Sequence, residues 1–228
     1  MAVSRITKPG ITKPGITRSG GAKPKTAKGR PRSFDRAATL RAAMGVFWQR
    51  GYEATSLSDL TQAMGINAPS LYAAFDCKEA LFGEALQLYQ DTEGAEPQRL
   101  LQEGRTAKDG FAAMLRFHAA DYVNPQKPPG CMAVLAAVVG APENKTVRGL
   151  MTRTRRGAVE MLAARIRRGI TEGDVPRTAD PVAMATFYTT LLQGMSIQAR
   201  DGATRKQLLA TVEAAMAAWD GMAGNTKK

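Results

Sequence analysis

The stretch SLSDLTQAMGINAPSLYAAF, from Ser56 to Phe75, restricts the fold of this chain more than any other. Ser56 followed three residues later by Asp59 is the capping-box spacing, in which each side chain satisfies a backbone N–H of the other at a helix start. Leu57, Leu60 and Met64 then recur at helical spacing as a buried stripe. Gly65 makes the turn, and Asn67 can cap the next helix. Pro69 is tolerated in that helix's first turn, where N–H groups lack intrahelical partners anyway. Leu71 and Phe75 face inward. Two short helices joined this way cross at a steep angle, so one can brace on a nucleic-acid backbone while the other enters a major groove. An ordinary helical hairpin with a polar tip has the same local spacing.

The second of these helices is uncharged: Gly65 to Phe75 holds no Lys, Arg or acid. Its outward residues are Ala68, Pro69, Ser70, Tyr72 and Ala74. The hydroxyls of Ser70 and Tyr72 can bond a phosphate or a base edge, and Ala and Pro can touch a thymine methyl. Such a surface discriminates bases but offers a polyanion little attraction.

Helical signals run from about residue 34 to the end, and no convincing strand is present, so the chain is read as all-α. SFDRAATLRAAMGVFWQR sets Leu40, Met44, Phe47 and Trp48 on one stripe, with Gly51 as the stop. A helix from about Lys78 to Asp91 offers Leu81, Phe82, Ala85, Leu88 and Tyr89. After DTEGAEP, helices are expected near 109–123, 130–141, 143–173, 180–199 and 203–222. They are separated by NPQKPPG, GAPEN, EGDVPRTADP and RDG. Asp180-Pro181 reads as an N-cap with Pro in the first helical position.

The charge is unevenly placed. The 228 residues carry a formal net charge of +12. Residues 1–33 hold +9 of it with no acid, residues 34–90 are −2, and the remainder is +5. The first segment repeats ITKPG, ITKPG, ITRSG and is rich in Pro and Gly, so 1–32 is expected to be a disordered basic arm. Its end, KGRPRSF, is similar to an AT-hook core, an extended element that inserts Arg into a narrow A·T minor groove. That similarity makes Arg30 and Arg32 candidate minor-groove contacts, against the plainer reading of a solvated linker. No run of 18 apolar residues exists, and no apolar segment follows the basic start, so neither a membrane span nor a secretory signal is expected. Two cysteines, Cys77 and Cys131, are too few for a disulfide framework and fit a reducing cytoplasm.

TLRAAMGVFWQRGYEATSLSDLTQAMGINAPSLYAAFDCKEALFGEAL resembles the N-terminal domain of the TetR family, the tetracycline-repressor-like transcriptional regulators. The similarity is dense over about 34–90 and rests on the pattern F..GY..TS...L...MGI..PSLY..F..KEALF. The C-terminal stretch EGDVPRTADPVAMATFYTTLLQGMSIQARDGATRKQLLATVEAAMAAW is also similar to regulatory domains of that family. The resemblance implies a homodimer with an N-terminal reader, double-stranded DNA as partner, and a helical pocket whose small-molecule effector, of unknown identity, alters the spacing of the two readers. It implies that Ala68, Pro69, Ser70 and Tyr72 face the groove. Lys78 matches the family's usual phosphate contact, and Ser56 and Ser58 match positions that meet backbone or base. Asp76-Cys77 departs from the Gly-Ser, Gly-Asp or Lys-Asn-like pairs common before that Lys. An acid there would be mildly repulsive to phosphate.

The resulting organisation is an arm at 1–32, a reader domain at 33–92 with the helix-turn-helix at 56–75, a regulatory and dimerisation domain at 93–224, and a tail at 225–228. Pocket candidates, from helix faces and family position, are Met114, Phe117, His118, Tyr122, Cys131, Leu135 and Met161. Phe187, Leu191, Leu192 and Met195 on one helix, and Leu208, Val212, Met216 and Trp219 on the next, form long apolar faces. A monomer could bury them, whereas the resemblance makes them a four-helix dimer interface. Arg148, Arg153, Arg155, Arg156, Arg165, Arg167 and Arg168 crowd one helix and are expected to be mostly solvated, with one or two able to meet an anionic ligand or the partner subunit. His118, the single histidine, has no second His or Cys/His cluster beside it, so no metal site is expected. Cys77, near a helix start, and Cys131 raise a redox-sensing alternative. No paired acid/base constellation and no phosphate loop is found, so an enzyme is not expected, and the resemblance implies a ligand-responsive repressor. A sequence-independent architectural DNA-binding protein is the rival.

Overall fold

The computed structural model describes residues 34–137, 141 and 143–224; the arm, with Arg30 and Arg32, and the tail lie outside them. The described residues are helical and contain no strand. The elements are α1 (Arg36–Arg50), α2 (Leu57–Met64), α3 (Ala68–Phe75), α4 (Lys78–Thr92), α5 (Ala95–Glu103), α6 (Ala107–Asp121), α7 (Met132–Leu135), α8 (Lys145–Glu172), α9 (Pro181–Arg200), α10 (Arg205–Ala217) and α11 (Trp219–Gly224).

The local signals at the reader behave as their chemistry dictates. Both halves of the capping box form: Asp59 N–H donates to Ser56 Oγ at 3.1 Å, and Ser56 N–H donates to Asp59 Oδ2 at 2.9 Å. Gly65 closes α2 in the left-handed region at φ 64°, which a side chain would disfavour. Asn67 Oδ1 accepts from Ser70 N–H at 2.9 Å and starts α3, with Pro69 in the first turn.

α1 buries Thr39, Ala43, Phe47 and Trp48, while the predicted Leu40 and Met44 are only half-buried. The inward stripe is thus rotated by about one residue toward smaller side chains, which lets α2 and α4 approach closely. Phe47, Tyr52 and Phe82 form an aromatic cluster, with Phe82 at 5.1 Å from Phe47 and 5.2 Å from Tyr52, and Trp48 packs edge-on to Tyr89 at 4.9 Å. α4 buries Leu86, with Leu88 only half-buried. Arg36 lies over the Phe75 ring at 4.4 Å and pairs with Glu84 at 2.7 Å, tying α1, α3 and α4 together.

Two helix expectations need correction. α5 was not anticipated because Glu96-Pro97 reads as a break, yet Pro97 falls in its first turn, where Pro is tolerated. The long apolar helix expected at 130–141 is, among the described residues, the four-residue α7.

The apolar stripes assigned to a dimer interface also divide differently. Met195, Leu208, Val212, Met216 and Trp219 are buried within the protomer, where Trp219 packs at a tilt against Phe111 and Tyr188 at 5.0 and 5.5 Å. They are core. Leu191 is half-buried, and Phe187 is 41% exposed. Both faces of α9 are apolar, so helical period alone could not separate inward from outward. The described residues from Phe34 onward form one compact unit.

Candidate nucleic-acid interface and interior cavity

The reader's outer surface is small and nearly neutral. Ala68, Pro69 and Tyr72 are exposed, Tyr72 by 46%, and Ser70 is half-buried, while Leu71 and Phe75 on the opposite face are sealed. Arg50 pairs with Asp59 at 2.5 Å, fixing α2 against α1. Ser56 and Ser58 are exposed. The Ser56 hydroxyl is already committed: it donates to Asp59 Oδ2 at 2.7 Å and accepts from Asp59 N–H. It has no proton left for a phosphate while the cap is closed. Ser58 has no such commitment at its side chain.

Lys78 opens α4 beside α3. Its ammonium sits over the Tyr52 ring at 4.2 Å, and burial pushes its pKa down, opposed by the charges of Glu53 and Glu79. Cys77, the N-cap of α4, accepts from Ala80 N–H through its sulfur at 3.4 Å and is half-buried. Asp76 between α3 and α4 stands at φ 66°, ψ −63°, and Cys77 N–H donates to Phe75 O across it at 2.7 Å. This three-residue turn is a strained one for a residue with a Cβ.

A cavity of about 170 Å³ lies among α5 to α9. Of the seven predicted residues, Met114, His118, Tyr122, Cys131 and Met161 line it together. Phe117 does not; one position from His118, it faces a shallow surface groove that includes Arg205. Leu135 does not line the cavity either. Sequence reading missed Gln98, Arg155, Thr189 and Gln193 in the lining. A signal existed for Arg155: Met151, Arg155, Ala158 and Leu162 recur four, three and four apart, on the inward face of α8.

Burial dominates the cavity's chemistry. His118 is pushed down to about 4 by loss of solvent, opposed weakly by Asp121. The Cys131 thiol is pushed up by burial, and Tyr89 donates its hydroxyl to this sulfur at 3.3 Å. A raised thiol is the opposite of an activated thiolate. No cluster of metal-ligating residues occurs among the described residues. On α8 the expectation of solvated arginines fails at Arg165, only 1% exposed, which donates Nε to Leu101 O at 3.0 Å and Nη2 to Gly104 O at 3.1 Å. It caps the end of α5, whose last carbonyls have no helical partner.

Reader and cavity meet at the end of α1. Trp48 Nε1 donates to Gly130 O at 3.1 Å, and Tyr52 N–H donates to Ala136 O at 2.6 Å. The Glu53 carboxylate accepts from Ala141 N–H at 3.0 Å and from Asn144 Nδ2 at 2.9 Å. Arg200 of α9 reaches the carbonyls of Trp48 and Gln49. Gly130, at φ 76°, permits a close approach: a Cβ there would lie 2.6 Å from Ser196 O.

A capped two-helix element with a polar, uncharged outer face, set on a larger helical body with an interior cavity, defines a helix-turn-helix DNA reader of the regulatory kind. Its relatives identify which kind. The family profile "Bacterial regulatory proteins, tetR family" matches residues 40–85. The chain is 34% identical over 200 residues to the HTH-type transcriptional repressor ComR of Escherichia coli (strain K12), covering 86% of this chain and 93% of that protein. It is 31% identical to the HTH-type transcriptional repressor BdcR of the same strain, over 86% of this chain and 93% of BdcR. A solved structure of the TetR family transcriptional regulator CifR, complexed with 26-base-pair double-strand operator DNA, is 46% identical with a TM-score of 0.81. That likeness covers 83% of this chain and all of the CifR chain. The chain belongs to the tetR family of bacterial regulatory proteins and is a DNA-binding transcriptional regulator.

Proposed function

We propose that this protein is a cytoplasmic, effector-responsive repressor that binds a pseudo-palindromic operator as a homodimer and performs no turnover. The observation that carries the reading is α3: its Ala68, Pro69, Ser70 and Tyr72 face stands outward while Leu71 and Phe75 lock the helix to the core. ComR and BdcR, each similar over most of the chain, are repressors, and CifR is held on operator DNA. The dimer contact in this reading is the outer face of α9, supported by the exposure of Val182, Phe187 and Ile197 at 51%, 41% and 48%. A second copy covering that face would set two readers about 34–36 Å apart, one helical turn of DNA. Ala68, Pro69, Ser70 and Tyr72 would read the groove, with Ser58 and Lys78 at the phosphates and the arm, through Arg30 and Arg32, in the flanking minor groove. An effector in the cavity would act through α7, which supplies Cys131, Ala133 and Val134 to the cavity wall and leads into the Ala136 carbonyl that holds α1.

The test is a competition titration of the purified dimer against DNA upstream of its own or a neighbouring gene and against random duplex. Specific binding should exceed random by about a thousandfold at physiological salt. A preference that never passes about tenfold at any salt favours a sequence-independent architectural role and ends this proposal. In the same assay, Tyr72→Phe should weaken operator binding about fivefold, the worth of one hydrogen bond, with melting unchanged because the side chain is exposed.

A further inference from the structure

Two polar atoms of the cavity have no use within the protomer. Arg155 Nη1 and His118 Nδ1 are both sealed from solvent, and neither finds a hydrogen-bond partner among the described residues. Both side chains line the same space, Arg155 from α8 and His118 from α6. Toward the C-terminal half of α8, Arg165 Nη1 and Arg168 Nε also lack a hydrogen bond, but each faces the Glu172 carboxylate, at 3.9 and 3.3 Å. Arg165 holds the Leu101 and Gly104 carbonyls, Arg167 pairs with Glu160 at 2.5 Å, and Arg168 donates to Gln102 and pairs with Glu172. Arg155 instead aims a guanidinium nitrogen into a space whose remaining walls are largely apolar, among them Met114, Val134, Met161, Leu162 and Leu192. A charged donor left without a partner in such a place is costly, and it is relieved most by an acceptor that carries charge.

The charge present selects the acceptor. Burial keeps His118 neutral at physiological pH, so the fixed positive charge lining the cavity is that of Arg155. One guanidinium balances one negative charge, and its fork matches the two oxygens of a carboxylate. A phosphate dianion would enter with one charge uncompensated in an apolar setting. The neutral imidazole can carry its proton on Nδ1 and donate to the same group. Size sets the body: a cavity of about 150 Å³ holds benzene, so about 170 Å³ admits one aromatic ring with a short substituent or a folded chain of similar volume.

We propose that the cavity is a binding site for a small monocarboxylate with an apolar body, its carboxylate held by Arg155 and His118 Nδ1. Its ring or chain lies against Met114, Met161 and Leu162. The proposal deepens the repressor reading, on which it rests for the idea that the occupant is the effector.

Calorimetry on the DNA-free dimer tests the site by itself, with 4-ethylbenzoate and octanoate as probes and 4-ethylbenzamide and octanamide as their neutral counterparts. At least one carboxylate should bind about tenfold or more tighter than its amide. Arg155→Met keeps the apolar stem of the side chain; it should erase that preference while leaving the amide's affinity within about twofold. Arg155→Lys should restore part of the preference, which a variant that had merely misfolded would not allow. Equal affinity for acid and amide in the wild type, no binding of either carboxylate, or a preference that survives Arg155→Met overturns the proposal. Operator titration with and without the bound carboxylate is read separately. Arg155-dependent binding with no change in DNA affinity would establish the site and count against the effector role alone.

Discussion

Replacing Asp76 by glycine should make the protein more stable and bind DNA more tightly, and the two effects can be separated. Asp76 is the one non-glycine residue at positive φ among the described residues. Its φ of 66° and ψ of −63°, closed by the Cys77 N–H to Phe75 O bond, put a Cβ where the chain resists it. Sparsely populated backbone of this kind costs about 1–3 kcal/mol, and glycine removes it. Glycine also loses about 0.5–1 kcal/mol more backbone entropy on folding than a residue with a side chain. The net expectation is a gain of about 1 kcal/mol, or about 2–4 °C in melting temperature for a folded unit of this size. Urea denaturation at fixed protomer concentration measures it, with an unchanged slope showing that the unfolded state is the same. Asp76→Ala serves as the control, since it removes the carboxylate but keeps the Cβ. Both variants lose a negative charge beside α3, the helix proposed to enter the groove, so both should gain operator affinity by about two- to threefold at low salt. Only the glycine variant should gain stability. If alanine and glycine prove equally stable, the turn holds no strain and the reasoning fails.

Deleting residues 1–32 should lower DNA affinity on any sequence, with base preference kept. The log–log salt slope should fall by about 0.9 for each phosphate that the arm neutralises; an unchanged slope removes the arm from the interface. Ser56→Ala breaks the capping box and should cost about 1 kcal/mol by urea denaturation. If operator affinity falls further than stability explains, the serine also contacts DNA. His118 has a folded-state pKa near 4 against 6.5 when exposed, so its stabilising effect is complete above pH 6.5 and is lost as pH falls toward 4. The stability advantage of wild type over His118→Gln should therefore shrink by about 2 kcal/mol between neutral pH and about pH 5. A pH-independent difference would show that the imidazole is not desolvated.

What was legible in the sequence was whatever depends on a few adjacent residues. The Ser56-Asp59 box, the Gly65 turn and the Asn67 cap are local bargains between side chain and backbone, and each forms where its residues stand. Burial on amphipathic α2 and α3 was equally plain, because their polar faces mark the outside. Where both faces of a helix are apolar the period is silent. On α9 and α10 the stripe chosen for a partner, Met195, Leu208, Val212 and Met216, is the protomer's own core. Proline misled at α5, since Pro97 reads as a breaker until its place in the first turn is known. Arg155 and Arg165 were hidden in a run of arginines whose usual meaning is solvent. Their positions on the inward face of α8 carried the information, and residue type obscured it.

The uncharged face of α3 sharpens the question of how occupancy of the cavity could reach DNA. The Lys78 ammonium lies over Tyr52, on the segment whose N–H is held by Ala136 O, and Glu53 next along the chain is held by Ala141 and Asn144. Trp48, one turn earlier, is held by Gly130. The end of α1 thus hangs from the loops on either side of α7, and α7 is a wall of the cavity. Each such hydrogen bond has a net worth of about 1 kcal/mol. Couplings between sites in regulators are typically about 1–3 kcal/mol. A ligand that displaces α7 enough to exchange one or two of these bonds therefore commands the energy a repressor needs. It would tilt α1, and with it α2, α3 and Lys78, without unfolding anything. The aromatic cluster of Phe47, Tyr52 and Phe82 ties α1 to α4, so a shift at the end of α1 would reach the reader as a displacement and not as a local loosening.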